Sequence, residues 1–305
     1  MPTDGFKPAY LNAPGADALA GKAAKATSLI EDCALCPRQC HVNRAAGETG
    51  ICNTGKNARV SSIHAHFGEE PPLVGTHGSG TIFFTHCNLM CNFCQNWDIS
   101  HEGYGEDVSD AALADMMLAL QARGCHNINF VTPTHVVPQI LSAVAIAAPK
   151  GLNIPLVYNS SGYDRVETLA LLDGVIDIYM PDFKFWDEKM AEMTCGAPDY
   201  PGVARHAVSE MHRQVGDLVI NGGGLARRGL LVRHLAMPGG IADTRRIMRF
   251  IVENISKDTY VNVMSQYRPA GNAWKIPGLS RPLSASDYRL AVDAARQEGI
   301  VRFAR

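Results

Sequence analysis

Long runs of one charge sign are missing from this chain of 305 residues, whose formal net charge is −2 and whose sequence pI is about 6.6. A polyanion-binding surface is therefore unsupported, and nucleic acid is not an expected partner. Long apolar runs are missing too: the longest, residues 140–149, is too short to span a bilayer, so no membrane is expected. The opening Met1-Pro2-Thr3-Asp4-Gly5 shows no basic segment leading into an apolar core, which predicts a cytoplasmic protein. What the chain does have is nine cysteines, an odd number grouped at ligand spacings. That pattern reads as metal sites in a reducing compartment, not as a disulfide framework. With 46% hydrophobic residues the chain can bury a core, in one large domain or in one large and one small.

Cys87, Cys91 and Cys94 are spaced C-x3-C-x2-C just after the apolar run Thr81-Ile82-Phe83-Phe84-Thr85. A cubane iron-sulfur cluster is normally held by four thiolates, so a loop offering three leaves one iron open to a substrate or cosubstrate. The competing reading is a zinc knuckle with His86 or His101 as fourth ligand. The strand before this loop and the alternation of strands and helices after it favour the cluster. A second group, Cys33, Cys36, Cys40 and Cys52, lies within twenty residues rich in turns, a strong signal for one tetrathiolate site. Zinc and an iron-sulfur cluster both accept four thiolates. Zinc sites usually show C-x2-C pairs at both ends, whereas Cys40 and Cys52 are isolated, which tips the reading towards a second cluster. Its role is either an electron relay or a staple that folds a small N-terminal lobe.

The hydrophobic pattern predicts a helix near 16–30, then strands at 81–85, 127–131, 155–158, 176–180, 230–235, 260–263 and 301–303. Helices are predicted between them at 110–123, 136–147, 165–172, 204–215, 244–252 and 284–297. This alternation predicts parallel βα units, and six to seven of them make an incomplete (β/α)6-type barrel, not a closed eightfold one. The expected organisation is an N-terminal extension, 1–80, with the four-cysteine site, and a partial barrel, 81–305.

Polar residues cluster just past the predicted strand ends, where α/β barrels build their sites. Thr132-Pro133-Thr134-His135 is either a site turn or a threonine helix cap. Tyr158-Asn159-Ser160-Ser161-Gly162-Tyr163 would let a ribose or carboxylate approach the backbone, or else leads into a helix capped at Asp164. Asp182 and Lys184 alternate onto one face of an extended segment. Asn221-Gly222-Gly223-Gly224 precedes a strand, so a hairpin turn is expected there and not a phosphate loop. Cys125 is expected as a core thiol; Cys195, in a loop between the fourth and fifth units, either faces the pocket or, as the preferred reading, is a spectator.

The stretch Thr85-His86-Cys87-Asn88-Leu89-Met90-Cys91-Asn92-Phe93-Cys94 resembles the signature loop of the radical S-adenosylmethionine (SAM) superfamily, with Phe93 in its aromatic position. The resemblance implies a [4Fe-4S] cluster whose open iron is chelated by SAM, which on reduction yields a 5′-deoxyadenosyl radical that abstracts hydrogen from a substrate. It also implies cofactor contacts at Phe93, at Thr132 and Thr134, and at Ser160 and Ser161. Asp182 and Lys184 resemble the D-x-K element of glycyl-radical-enzyme activases, and Arg233, in Arg233-His234-Leu235-Ala236-Met237-Pro238-Gly239, resembles their arginine near the SAM carboxylate.

Over nearly its whole length the chain resembles the iron-sulfur proteins described as homologues of pyruvate formate-lyase activating enzyme. The elements that carry this are Cys33-Ala34-Leu35-Cys36-Pro37-Arg38-Gln39-Cys40-His41-Val42-Asn43-Arg44, Glu69-Glu70-Pro71-Pro72, the triad loop, residues 158–163 and Tyr267-Arg268-Pro269-Ala270. The AmmeMemoRadiSam proteins are similar in the first of these. The resemblance implies an activating-enzyme-like oxidoreductase fed by a reductant such as flavodoxin or ferredoxin, acting on a glycyl radical enzyme, another protein or a small molecule. Activases, however, carry an arginine in the strand before the triad and a Gly-Gly-Glu-Pro turn after it, where this chain has Gly78-Ser79-Gly80 and Thr132-Pro133-Thr134. The alternative of another class is an iron-sulfur or zinc electron-transfer or structural module without SAM chemistry.

Overall fold

The computed structural model describes residues 5–12 and 16–304; residues 1–4, part of the segment that shows no leader pattern, lie outside them. The first helix, α1 (Ala16–Ser28), buries Leu19, Ala23 and Ala26, a spacing of three to four that makes one apolar stripe. The cysteine-rich segment that follows is held by turns, and leads to β1 (Ala58–His66), the short α2 (Pro71–Val74) and β2 (Ser79–Phe84). Next come α3 (Trp97–Ser100), β3 (Glu106–Val108), α4 (Asp110–Ala122), β4 (Ile128–Val131), α5 (Val137–Ala147) and β5 (Leu156–Asn159). The second half carries α6 (Val166–Leu172), β6 (Ile178–Tyr179), α7 (Glu188–Cys195), α8 (Tyr200–Val215), β7 (Val219–Ile220) and β8 (Ala226–Leu235). It ends with α9 (Thr244–Phe250), β9 (Tyr260–Met264), α10 (Ala285–Gln297) and β10 (Arg302–Phe303).

Strands β2, β4, β5, β6, β8, β9 and β10 lie side by side in that order, all parallel. The sheet does not close. Its β2 edge is covered by β1, antiparallel to β2, and β3 pairs with β1 in turn. This is the incomplete barrel expected from the alternation of strands and helices, and each of the seven expected strands meets one of the parallel strands.

The differences have local causes. Strand β1 reads Ala-Arg-Val-Ser-Ser-Ile-His-Ala-His and is half-buried along most of its length, so it lacks the clean apolar alternation that marks a strand. Helix α7 is short and charged, held by the Asp187 side chain, which accepts from the Met190 N–H, and ended by Gly196 in the left-handed region. Helix α8 begins at Tyr200, ahead of the expected 204, because Pro201 suits a first turn. The Asn221–Gly224 stretch joins antiparallel β7 to β8 as a hairpin.

The sheet crosses the expected boundary at residue 80. Leu19, Val60, Ile82, Phe130 and Val144 share one core, so α1 and β1 are built on the same apolar interior as the βα units, while Ile30, Cys33 and Leu35 of the cysteine-rich segment form a small cluster of their own. On the sheet face turned away from the helices a smaller cluster packs Leu73 of α2 against Val157, Ile178, Met180 and Leu231. Helix α2 therefore plugs the floor of the half-barrel and sets Glu69 and Glu70, just before it, beneath the strand ends.

Candidate active site

The loop after β2 reverses direction tightly: His86 and Met90 both adopt positive φ, of 63° and 56°. Such strain in residues with a Cβ persists only where surrounding contacts over-determine it. Here the Asn88 side chain donates to the Tyr163 carbonyl at 2.8 Å, the Asn92 N–H to Thr194 at 2.8 Å, and the Asn272 N–H to Asn92 at 2.7 Å. Arg38, from the four-cysteine segment, adds a clamp by donating to the carbonyls of Asn88 (3.0 Å), Leu89 (3.2 Å) and Cys195 (2.8 Å). Its role went unread in the sequence, where only its place in Cys36-Pro37-Arg38 marked it.

This loop sets Cys87, Cys91 and Cys94 along the wall of an open cavity of about 240 Å³ at the C-terminal ends of the parallel strands. The other walls include Phe93, Thr132, Ser160, Ser161, Asp182, Lys184 and Arg233, so all but one of the residues expected at a cofactor line one space with the triad. The exception is Thr134, which is not among the lining residues: its hydroxyl donates to Asp164 at 2.7 Å. Tyr158 (2.9 Å) and Ser160 (2.7 Å) donate to the same carboxylate. Asp164 is thus an interior acceptor of three hydroxyls, while the helix cap falls at Arg165. Burial raises its pKa, and the three donors pull the other way.

The Ser161 hydroxyl is the opposite case, buried with no hydrogen-bond partner among the described residues. An orphaned donor on a cavity wall is what a polar ligand would satisfy. Across from it, Lys184 Nζ meets Asp182 Oδ2, while Arg233 sends Nε to Asp182 Oδ1 (2.8 Å) and Nη2 to Asn159 Oδ1 (2.6 Å). Its remaining nitrogen, Nη1, lies 3.6 Å from Glu69 Oε2. Burial opposes the Asp182 charge, yet the Arg233 and Lys184 cations outweigh it and hold the carboxyl below the usual carboxylate range. Arg233 is thus engaged by this chain's own carboxylates more than sequence reasoning expected. Glu69 and Asn159 were missed as members of this network, although both stand in stretches that the sequence marks as unusual.

Cys195 is not a remote spectator. Helix α7 ends with its Sγ 3.5 Å from that of Cys91, both buried. Hydrogen bonding to Cys195 and burial raise the Cys91 pKa well above the usual thiol value. Cys125 does sit in the core. Of the histidines weighed for zinc, His101 stacks on Trp97 and shares a 2.8 Å hydrogen bond with Ser100, whose hydroxyl donates to Cys94 Sγ at 3.1 Å.

The second cysteine group lines a separate, tightly packed cavity of only about 10 Å³ with Arg44 and His135. Cys33, Cys36 and Cys52 are buried and Cys40 half-buried. The segment is tied to the barrel through Arg165 on the Ala34 carbonyl and Thr168 on the Leu35 carbonyl, both 2.7 Å. Gly50 allows the loop to close, since a Cβ there would lie 2.6 Å from Cys40 Sγ. Among the described residues no three His, Cys, Asp or Glu side chains converge on one ion-sized point. Four thiolates accept a zinc ion or an iron-sulfur cluster alike, whereas three leave one iron of an iron-sulfur cluster open. Three soft donors at one end of a cavity, with hydroxyls and a cation-carboxylate network at the other, can hold such a cluster beside a polar, charged ligand.

Comparison with known proteins identifies a family. The family model described as the radical SAM superfamily matches residues 81–213. The uncharacterized protein MJ0674 of Methanocaldococcus jannaschii is 32% identical over 281 residues, covering 89% of this chain and 76% of that protein. Among solved structures, Streptococcus suis SuiB superposes with a TM-score of 0.46 and methylornithine synthase (PylB) with 0.44, each at 13% identity over 72% of this chain. The aligned part spans 47% and 62% of those two chains.

Proposed function

Because the chain belongs to the radical SAM superfamily, an enzyme family that uses a [4Fe-4S] cluster and SAM, we propose that Cys87, Cys91 and Cys94 hold that cluster and that the cavity beside them binds SAM. One observation supports this most: the triad shares a single cavity with Phe93, Thr132, Ser160, Ser161, Asp182, Lys184 and Arg233, brought there from five different strand ends. When bound and reduced, the cluster supplies the electron that splits SAM into methionine and a 5′-deoxyadenosyl radical.

The chain's own residues bind and orient. Phe93, buried against Phe185 and Tyr267, gives the cluster loop an apolar backing. The Ser161 hydroxyl and the Thr132 turn offer hydrogen bonds to the ribose or the methionine part of SAM. Lys184 reaches for its carboxylate, with Asp182 holding the ammonium in place. Arg233 serves chiefly as the brace of Asp182, since its Nε and Nη2 are already spent on Asp182 and Asn159. In this reading Thr134 is a positioning residue that acts through Asp164 on the Ser160 loop.

The reaction class we infer is hydrogen abstraction by an oxidoreductase of activating-enzyme type, with a flavodoxin or ferredoxin as electron donor and a protein, such as a glycyl radical enzyme, or a small molecule as substrate. The four-cysteine cavity is proposed as a second metal site, filled by an iron-sulfur cluster in preference to zinc. None of the described helices is long and apolar enough to cross a membrane.

Anaerobic reconstitution with iron and sulfide, dithionite reduction and assay for 5′-deoxyadenosine test the central claim. The wild-type protein is expected to cleave SAM, and Ala at Cys87, Cys91 or Cys94 to abolish cleavage. Intact SAM in the reduced wild-type protein would leave only a metal-binding or electron-transfer module.

A further inference from the structure

His135 stands at the junction of the two cysteine groups. It is 1% exposed and lines the four-cysteine cavity beside Cys33, Cys36, Cys40 and Cys52. Its Nε2 lies 2.9 Å from the carbonyl of Thr85, and a carbonyl can only accept, so Nε2 carries the hydrogen. That leaves Nδ1 as a bare acceptor, and it has no partner among the described residues. Leaving a buried acceptor unpaired is unfavourable unless something fills the gap. Arg44, also buried, fixes the residue from the other side by donating Nη1 to the His135 carbonyl at 2.9 Å while approaching Cys33 Sγ at 3.8 Å.

We propose that His135 is a ligand of the N-terminal metal centre through Nδ1, joining Cys33, Cys36 and Cys52, with the half-exposed Cys40 as the cysteine in excess. The inference rests on the reading that the four-cysteine cavity holds an iron-sulfur cluster. Its physical ground is the second hydrogen bond of the ring: a metal-binding imidazole almost always donates its other N–H to a carboxylate or a backbone carbonyl, which fixes tautomer and orientation. Thr85 provides that acceptor. Thr85 also lies two residues before Cys87, so the same imidazole links the N-terminal centre to the start of the triad loop.

The test uses full-length protein with Cys87, Cys91 and Cys94 all replaced by Ala, reconstituted anaerobically with iron and sulfide, so that only the N-terminal centre contributes. Pulsed electron paramagnetic resonance of the reduced centre is expected to show a strongly coupled nitrogen that disappears in His135→Ala, while Cys40→Ser keeps its iron. A reduced iron centre without that nitrogen, or iron lost from Cys40→Ser but kept in His135→Ala, overturns the ligand assignment and leaves the cluster reading intact. Absence of iron, or zinc in its place, overturns both. Should the triple variant not fold, wild-type protein with 15N-histidine against 14N-histidine reads the same coupling, and identical spectra refute it.

Discussion

Arg233 and Asp182 are joined twice, by side chains and by backbone: Nε to Oδ1 at 2.8 Å, and a parallel bridge in which Arg233 N–H meets the Pro181 carbonyl and Phe183 N–H the Arg233 carbonyl. The pair thereby continues the β6–β8 ladder past the last regular residue of β6 and closes the rim of the pocket. Removing the guanidinium leaves a buried carboxylate with Lys184 as its main cationic partner.

Arg233→Ala should therefore destabilise the protein, though by less than the about 3–5 kcal/mol of a fully stranded buried charge, because Lys184 still pairs with Asp182. SAM affinity should fall on the order of ten- to a hundredfold, because Asp182 and Lys184 lose their brace. Anaerobic urea titration and equilibrium dialysis read the two effects. Arg233→Lys is expected to restore little, since an ammonium cannot reach Asp182 and Asn159 together. Wild-type stability in the Ala variant would show the pair to be incidental.

Gly162 carries φ +74°, and a Cβ there would lie 2.4 Å from the Asp182 carbonyl oxygen. Gly162→Ala must push the Asp182 backbone aside and should weaken SAM binding as well as stability. Gly174, with the same φ and nothing within 4 Å, is the control. Gly174→Ala should cost only about 1 kcal/mol of backbone strain and leave SAM binding alone. Equal effects from the two substitutions would remove the clash from the explanation.

Cys195 and Cys91 lie close enough, at 3.5 Å between sulfurs, for a thiol-specific oxidant such as diamide to join them in cluster-free protein. Peptide mapping should find the Cys91–Cys195 bridge, and the oxidised protein should refuse iron until a thiol reductant is added. Cys195→Ala should take up iron whether or not it has met diamide. A bridge formed between Cys91 and Cys87 or Cys94 in preference would contradict the geometry.

His234 is fully buried, with Nδ1 2.7 Å from the Phe183 carbonyl and Nε2 2.8 Å from the Thr244 hydroxyl. Burial depresses its pKa to about 4, against the pull of the Phe183 carbonyl, from an ordinary value of 6.5. Between those values the unfolded chain binds a proton that the folded chain refuses, so stability falls as pH drops through this window and is fully present above it. The shift corresponds to something on the order of 3 kcal/mol. Denaturation midpoints measured from pH 7.5 to 4.5 should decline in wild type and decline less in His234→Gln.

The cysteine spacings and the alternation of strand and helix determined the three-cysteine loop, the parallel strands and the open barrel from the sequence alone. They could do so because thiolate ligands sit on short loops and because a βα unit is a local pattern with its own period. The order in which strand-end residues meet was equally readable, since Asp182, Lys184, Ser160 and Arg233 stand at fixed offsets from their strands. What only the tertiary structure decided is the choice between equivalent polar roles. Thr134 and Thr132 differ by two residues, yet one hydroxyl is spent on Asp164 and the other residue lines the cavity. Arg233 turned to Asp182, Cys195 reached Cys91 across more than a hundred residues, and His135 was left with one nitrogen unpaired among the described residues. Each outcome depends on which neighbours remain to satisfy a buried donor or acceptor, and those neighbours come from distant parts of the chain that only packing brings together.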